Sequence, residues 1–295
     1  MSGSLDLHEG VLYVGTEVRA AEVRAFDLDG RELAVVARFA GDAHGAAAAS
    51  GLAVDDDHRL WVADAIGERL LAFNLFGKRM ADVSETALAT RGRAGELGTP
   101  VDVVTTGTDD DQRLWVASSG TRRHAVRSLP LGSGAPSSLR PGGDPDALFH
   151  GVRGLARGGD YLYVSEATAG RVQVFRSERF HFAFEASSSG PTEFFPVAAA
   201  AVGDGRVLVV HGAVDGALLL FDAAGRLLRV LAGGGVDEGQ LCAPNDVAIE
   251  VGADDRHARI AVIDRDGTRV QVFNLEGSCY GSFPDFAPGE ASSAE

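Results

Sequence analysis

Two short hydrophobic segments separated by a polar gap recur six times along the chain. In each copy the first segment resembles V-L-Y-V, and the second ends in Phe or another apolar residue. The copies begin at residues 11, 60, 114, 161, 207 and 259, so that successive starts lie 49, 54, 47, 46 and 52 residues apart. A period of about fifty residues, at four strands per unit, is typical of β-propeller blades.

Each copy also has one hydrophobic strand upstream and one downstream, so a unit has four strands, named a to d in chain order. Gly and Asp between strands c and d, as in Asp29-Gly30, supply the positive φ that tight hairpins require. We therefore predict an all-β fold: a six-bladed β-propeller, with four antiparallel strands per blade around a central channel. The predicted blades are about 3–41, 50–86, 100–140, 150–188, 196–232 and 244–286, followed by a disordered tail at 287–295.

The two ends of the repeat array predict how the ring closes. The first blade has its own a strand at 5-LDL, and the last has its own d strand near Cys279–Phe283. We therefore predict closure by packing of blade against blade, without a strand exchanged between the termini. The poorest match, 131–149, predicts a ragged outer strand and a long loop in the third blade.

The motifs resemble those of the NHL-repeat family. The best match is 233-GGGVDEGQLCAPNDVAIE followed by 259-RIAVIDRDGTRVQVFNLEG, and 95-GELGTPVDVV is a weaker copy. Asp64 stands at the position of the family's V-A-D aspartate, whereas Ser118 and His211 replace it in two other blades. The resemblance covers about residues 3–286 and implies a propeller, but such repeats serve many tasks and imply no single activity.

Composition narrows the function classes. Lys plus Arg number 27 against 42 Asp plus Glu, a formal net charge of −15, which disfavours a nucleic-acid partner. The longest apolar runs have about five residues, far short of the roughly 20 that a membrane helix needs. The beginning of the chain lacks the pattern of a secretory signal, so we expect a cytoplasmic protein.

The two cysteines are predicted to be free thiols. Cys242 precedes an inner strand, whereas Cys279 lies on the outer strand of the same blade. Three inter-strand spacings of about 4.8 Å separate such positions. A disulfide needs Cα atoms within about 7 Å.

The hairpins that join a to b and c to d emerge on one face of a propeller, here called the turn face. Asp55, Asp56 and Asp57 belong to an acidic group that recurs at the a–b hairpins. Because the residue spacing of a calcium loop is missing, we interpret these acids as solvated turns.

The b–c and d–a connections form the opposite face, here called the loop face, which is rich in arginine. Arginine forks suit bidentate recognition of carboxylates and phosphates. We hypothesise a binding surface there that comprises Arg19, Arg69, Arg122, Arg123, Arg153, Arg171 and Arg265. The competing interpretation is salt bridging within the propeller, above all for arginines that open c strands, such as Arg171.

An alternative site lies at the channel mouth, where the a strands begin. The gluconolactonase-like family places metal-binding Asn and Asp there, but only Asn245 matches that pattern. The residues of this alternative channel-mouth site are Asp102, Asn245, Asp246, Glu166 and His211, and we predict no catalytic residue with the binding module. No two of the eight histidines have the i, i+2 or i, i+4 spacing of a zinc site, and no cofactor motif is present, so we predict no metal and no cofactor.

The sequence thus favours a non-catalytic binding or scaffolding module for a protein or peptide. The alternative is a metal-dependent lactonase or other hydrolase acting at the channel mouth. A third interpretation, an RNA-binding propeller, is disfavoured by the charge of −15.

Overall fold

The fold is a six-bladed β-propeller, as the repeat predicts. A computed structural model describes residues 3–18, 20–39, 47–80, 99–107, 111–119, 124–132, 134–143, 147–186, 193–264 and 268–283. Within them, five sheets have four antiparallel strands and one has three. The predicted tail at 287–295 lies outside the described residues, as do residues 81–86 of the predicted second blade.

The first three blades follow in chain order. Blade 1 has β1 (Ser4–His8), β2 (Val11–Val18), β3 (Ala20–Phe26) and β4 (Glu32–Phe39). Blade 2 has β5 (Ala49–Val54), β6 (Arg59–Asp64) and β7 (Arg69–Asn74), after which Phe73 and Arg79 form an isolated bridge. Blade 3 has β8 (Thr99–Thr106), β9 (Arg113–Ser119), β10 (Ala125–Pro130) and a two-residue d strand, β11 (Ser137–Ser138), followed by a 3-10 turn at Pro141–Gly143. This short d strand confirms the ragged outer strand that was predicted.

The remaining three blades have four strands each. Blade 4 has β12 (Val152–Gly158), β13 (Tyr161–Glu166), β14 (Arg171–Arg176) and β15 (Arg179–Phe184). Blade 5 has β16 (Pro196–Ala201), β17 (Val207–His211), β18 (Ala217–Phe221) and β19 (Leu227–Ala232). Blade 6 has β20 (Asp246–Glu250), β21 (Arg259–Asp264), β22 (Arg269–Phe273) and β23 (Cys279–Phe283).

The core is divided into six hydrophobic clusters, one at each junction between neighbouring blades. Strand β6 shows why the b strands read as continuous apolar runs. Leu60 and Val62 face blade 1, whereas Trp61 and Ala63 face blade 3. Successive side chains of a strand point to opposite faces of its sheet, and both faces of a blade are covered by neighbours.

Ring closure uses the same kind of packing. One cluster joins Leu12 and Phe26 of blade 1 to Ile263 and Val270 of blade 6. Each sheet is formed by a contiguous segment of chain, and β23 pairs only with β22 within the described residues. The prediction of closure without an exchanged strand is therefore confirmed.

Four of the c–d hairpins share one local structure. Oδ1 of Asp27 accepts the backbone N–H groups of Asp29 and Arg31 at 3.1 and 2.8 Å. This Asx turn explains why a short polar residue follows the c strand, since its side chain replaces a backbone acceptor. The equivalent acceptors in three other blades are Asn74, Asp222 and Asn274.

One a–b hairpin acid differs from the expectation of a solvated turn. Asp55 is buried, and its carboxylate accepts the Nε–H of Arg59 at 2.6 Å and the indole N–H of Trp61 at 2.8 Å. The run of three aspartates does not show which of them is buried. Asp55 is the one whose carboxylate meets the side chains of Arg59 and Trp61.

Both cysteines are free, which confirms the prediction. No helix in the described part of the chain is long and apolar enough to cross a membrane.

The glycine of the first c–d hairpin touches the last blade. Gly30 has φ of 87°, and a β-carbon there would lie 2.6 Å from Cδ1 of Phe283. The Phe283 ring packs on Phe26 with a centroid distance of 5.4 Å. Any larger residue at position 30 must therefore disturb the junction between blades 6 and 1.

Replacing Gly30 with Ala is expected to lower the free energy of unfolding by at least about 1–2 kcal/mol, because left-handed backbone costs an L-residue that much before the clash is counted. Urea denaturation followed by circular dichroism measures the loss. Gly233→Ala is the matched control, since Gly233 lacks a positive φ and a β-carbon there would have nothing within 4 Å. Equal stability of the two variants would contradict this account of the junction.

Candidate functional site

A cavity of about 360 Å³ occupies the central channel. The a strands of all six blades line it, mostly with aliphatic or small side chains such as Ala199 and Ala200. Its ionisable lining residues are Asp6, His8, Asp56, Asp102, Arg157 and Asp246. The wall nevertheless presents mainly polar surface to the cavity, and the carboxyl groups contribute to it.

Three of these carboxyl groups fasten neighbouring a strands together. Oδ2 of Asp246 accepts the backbone N–H of Leu5 at 2.7 Å, which joins blade 6 to blade 1. Oδ2 of Asp6 accepts that of Val54 at 2.6 Å, which joins blade 1 to blade 2. Adjacent a strands belong to different sheets, so these side chains replace ladder hydrogen bonds that the backbones themselves do not form.

The third carboxyl group works in the same way between blades 3 and 4. Oδ2 of Asp102 accepts the N–H of Leu155 at 2.6 Å, and Oδ1 accepts that of Val103 at 2.8 Å. Both oxygens of this aspartate therefore already have hydrogen-bond donors.

Burial shifts the titration of all three groups upward. It raises the pKa of Asp6 to about 6 and that of Asp246 to about 7, and backbone N–H donors only partly offset it. Burial also raises the pKa of Asp102 well above its usual range, and the negative charge of Asp246 adds to this effect. The channel thus holds carboxyl groups that take up protons near neutral pH.

The residues predicted for the channel mouth separate into two groups. Asp102 and Asp246 line the cavity, whereas Glu166 and His211 end b strands. Asn245 precedes β20, where its backbone N–H donates to Ile263 O at 2.9 Å and its side-chain Nδ2 is buried without a partner in the described structure. The structure therefore does not bring these five residues together around one point.

Glu166 has a structural environment that recurs in three blades. Its Oε1 accepts the N–H of His150 in the d–a connection at 2.7 Å, and its Oε2 accepts Nε–H of Arg171 at 2.7 Å. The buried acid thereby holds the incoming chain and the following c strand in place. The equivalent ion pairs are Asp64–Arg69 and Asp264–Arg269.

His211 occupies the same position in blade 5. Its Nδ1 lies 3.0 Å from the backbone N of Phe195, so the ring accepts the hydrogen bond that an acid accepts elsewhere. Burial lowers the pKa of His211, which favours the neutral ring needed for that role. Histidine at this position therefore preserves the contact without a charge.

The arginines of the predicted binding surface fall into three groups: ion-paired, exposed, and outside the described residues. Arg69 and Arg171 are engaged in the ion pairs just described. Arg153 is exposed at the start of β12, where the pairing register shifts between Val152 and Gly154. The remaining members lie outside the described residues: Arg19, Arg122, Arg123 and Arg265.

The loop face also carries exposed apolar side chains that the sequence analysis did not single out. Ile66 and Val214, in b–c connections, are 53% and 77% exposed. Leu148, Phe195 and Val236, in d–a connections, are 46%, 37% and 59% exposed. Five of the eleven exposed large apolar residues of the described structure therefore lie on this face.

Two further features escaped prediction, and only the first has a signal in the sequence. Asp6 in 5-LDL has the same pattern as Asp102 in 101-VDV, an aspartate between apolar residues of an a strand. His8 and His58 occupy the a–b hairpins of consecutive blades, and their rings lie 5.7 Å apart between centroids. That proximity follows from the ring, not from sequence spacing.

Comparison with known proteins supports the fold. No family model and no curated protein matches this sequence. Among solved structures, a Xanthomonas campestris gluconolactonase is 16% identical with a TM-score of 0.59, covering 94% of this chain and 84% of its own. A virginiamycin B lyase from Staphylococcus aureus is 10% identical with a TM-score of 0.61, covering 95% and 83%.

A chain of a nidogen/laminin complex is also similar. It is 14% identical with a TM-score of 0.57, and the match covers 77% of this chain and 78% of that one. The same architecture therefore serves both enzymes and protein binding, and at these identities the likeness establishes the fold alone.

Replacing Asp246 with Asn is expected to change how stability depends on pH. Because the folded pKa, about 7, exceeds the unfolded value of 3.8, the folded protein binds more protons between these values. This group's contribution to the free energy of unfolding therefore falls as pH rises from about 4 to 7. The variant lacks this titration, so it should lose less stability than the wild type between pH 5 and 8.

Urea denaturation at both pH values measures this difference. Asp29→Asn, which removes a carboxylate from an exposed turn, is the control and should follow the wild-type pH dependence. A pH dependence of Asp246→Asn identical to that of the wild type would contradict the assigned pKa.

Proposed function

We propose that this propeller is a non-catalytic binding module and that a protein or peptide docks on its loop face. The observation that carries the proposal is the group of exposed apolar side chains there, above all Val214 and Ile66. Interface centres are apolar and aromatic, with arginine enriched around them. Exposed Arg153 and Arg140 on the same face fit that composition.

The structural pairing of the other arginines sharpens the proposal. Because Arg69 and Arg171 already neutralise buried acids, their charges are poorly suited to be the main attraction for a partner. Ile66 and Val214 instead present apolar side chains to solvent from the b–c connections of blades 2 and 5. The expected partner therefore presents an apolar segment, flanked by acidic residues that meet the remaining arginines.

The main alternative is a metal-dependent hydrolase at the channel mouth. Two observations support the binding module over it. Both oxygens of Asp102 and of Asp246 already accept backbone N–H groups. In addition, Glu166 is engaged by His150 and Arg171 instead of facing the cavity.

The loop-face residues are expected to determine peptide affinity. Peptides would be selected from a random phage-displayed library on the immobilised protein, and their affinities measured by fluorescence polarisation. Combining Ile66→Ser with Val214→Ser should weaken binding at least about tenfold, equal to about 1.4 kcal/mol, because it removes exposed apolar contact area. Phe76→Ser is the control, since Phe76 is 97% exposed on the turn face.

Failure to select peptides, or an equal loss of affinity in Phe76→Ser, would contradict the proposal. So would hydrolysis of a lactone by purified protein that contains a stoichiometric metal, because that result favours the enzyme.

Arg122 and Arg123 provide a second test, although both lie outside the described residues. Replacing them with Ala should weaken the same peptides, and the loss should shrink as salt is raised, because exposed charges are screened. Fluorescence polarisation at low and high salt measures this effect. Unchanged affinity would remove these two arginines from the proposed surface.

A further inference from the structure

Three metal-ligating side chains meet on the turn face, remote from the proposed docking surface. His8 ends β1, Glu9 follows in the hairpin, and His58 lies in the corresponding hairpin of blade 2. Their ligand atoms all lie within 4.8 Å of one another. Among the described residues, these three are the one group of at least three His, Cys, Asp or Glu side chains whose ligand atoms lie that close together.

The two hairpins hold the imidazoles in a defined arrangement. The rings of His8 and His58 are edge to face, with an interplanar angle of 82° and centroids 5.7 Å apart. Glu9 and His58 are exposed, whereas His8 is half-buried. The two exposed side chains can therefore adjust by rotation around a more firmly held third one.

A second, independent observation is that one ring nitrogen of His8 lacks a hydrogen-bond partner within the described structure. Its Nε2 is buried and has no hydrogen-bond partner within the described structure. A buried polar atom without a partner is costly, and such an atom in a native protein calls for a ligand. A ring nitrogen is also the atom through which histidine binds metals.

We propose that His8, Glu9 and His58 bind a divalent transition-metal ion of the zinc type. Zinc takes imidazole nitrogen at about 2.0–2.1 Å and carboxylate oxygen at about 2.0–2.2 Å, and sites with two His and one Glu are compatible with it. Imidazole ligands disfavour calcium and magnesium, which prefer oxygen. Three protein ligands leave the fourth position of a tetrahedral ion for water or another ligand.

The site lies beside the channel, because His8 also lines the central cavity. A bound ion would join the inner strand of blade 1 to the a–b hairpin of blade 2. It would also place a positive charge near the carboxyl group of Asp6, which already interacts with His8. This proposal is independent of peptide binding on the loop face.

The test uses the full chain without a histidine tag and Zn²⁺ as the probe. Isothermal titration calorimetry should show one ion bound per chain in the wild type. His58→Asn should weaken binding at least tenfold, since Asn tolerates the φ of 56° at this position but removes the imidazole. Glu9→Gln should weaken it similarly while keeping the side chain's size.

His257→Asn is the matched control, because His257 lies in the a–b hairpin of blade 6 and is paired with Asp254. It should retain wild-type affinity. Absence of stoichiometric zinc binding, undiminished binding in His58→Asn, or an equal loss in His257→Asn would overturn the proposal. Circular dichroism of each variant distinguishes loss of the site from loss of the fold.

Discussion

Packing between blades is the constraint on which the rest of this structure depends. Each sheet is buried on both faces by its neighbours, so no blade has a complete core of its own. The inner strands are not joined by a β-ladder, and carboxyl groups of Asp6, Asp102 and Asp246 bridge them instead. These bridges place three carboxyl groups in a confined channel, where burial raises the pKa of each of them.

Side chains also accept backbone hydrogen bonds between separate chain segments on the loop face. At the end of the b strand, Asp64, Glu166, Asp264 and the neutral ring of His211 each accept a backbone N–H from the incoming d–a connection. The feature common to these four blades is thus a side-chain hydrogen-bond acceptor, which is a carboxyl group in three of them and a ring nitrogen in blade 5. Arginines that open the c strands pair with these acids, whereas the side chains that this face exposes include the apolar Ile66 and Val214. For this reason the positions of the arginines alone were an incomplete guide to the docking surface that we propose.

The sequence predicted what repeats and missed what depends on neighbouring blades. Period, strand order, the Asp29-Gly30 hairpin, the short third outer strand and the free thiols all follow from local residue patterns, and the structure confirms them. In contrast, Asp55 is buried beside Arg59 and Trp61, and Arg59 in turn donates a hydrogen bond to Gln112 of blade 3. The meeting of His8 and His58 requires two hairpins fifty residues apart to be adjacent, which only the closed ring brings about.

Because side chains close the ring, the junction between blade 6 and blade 1, here called the seam, differs from the other five junctions. At every other junction the d–a connection ties two blades covalently, but no described segment of the chain crosses between blade 6 and blade 1. There, separation needs only the Asp246–Leu5 contact and the cluster around Phe26 and Phe283 to yield, with every β-ladder left whole. The lowest-energy opening of the molecule should therefore be a radial split along this seam, which would turn the closed disc into an open arc.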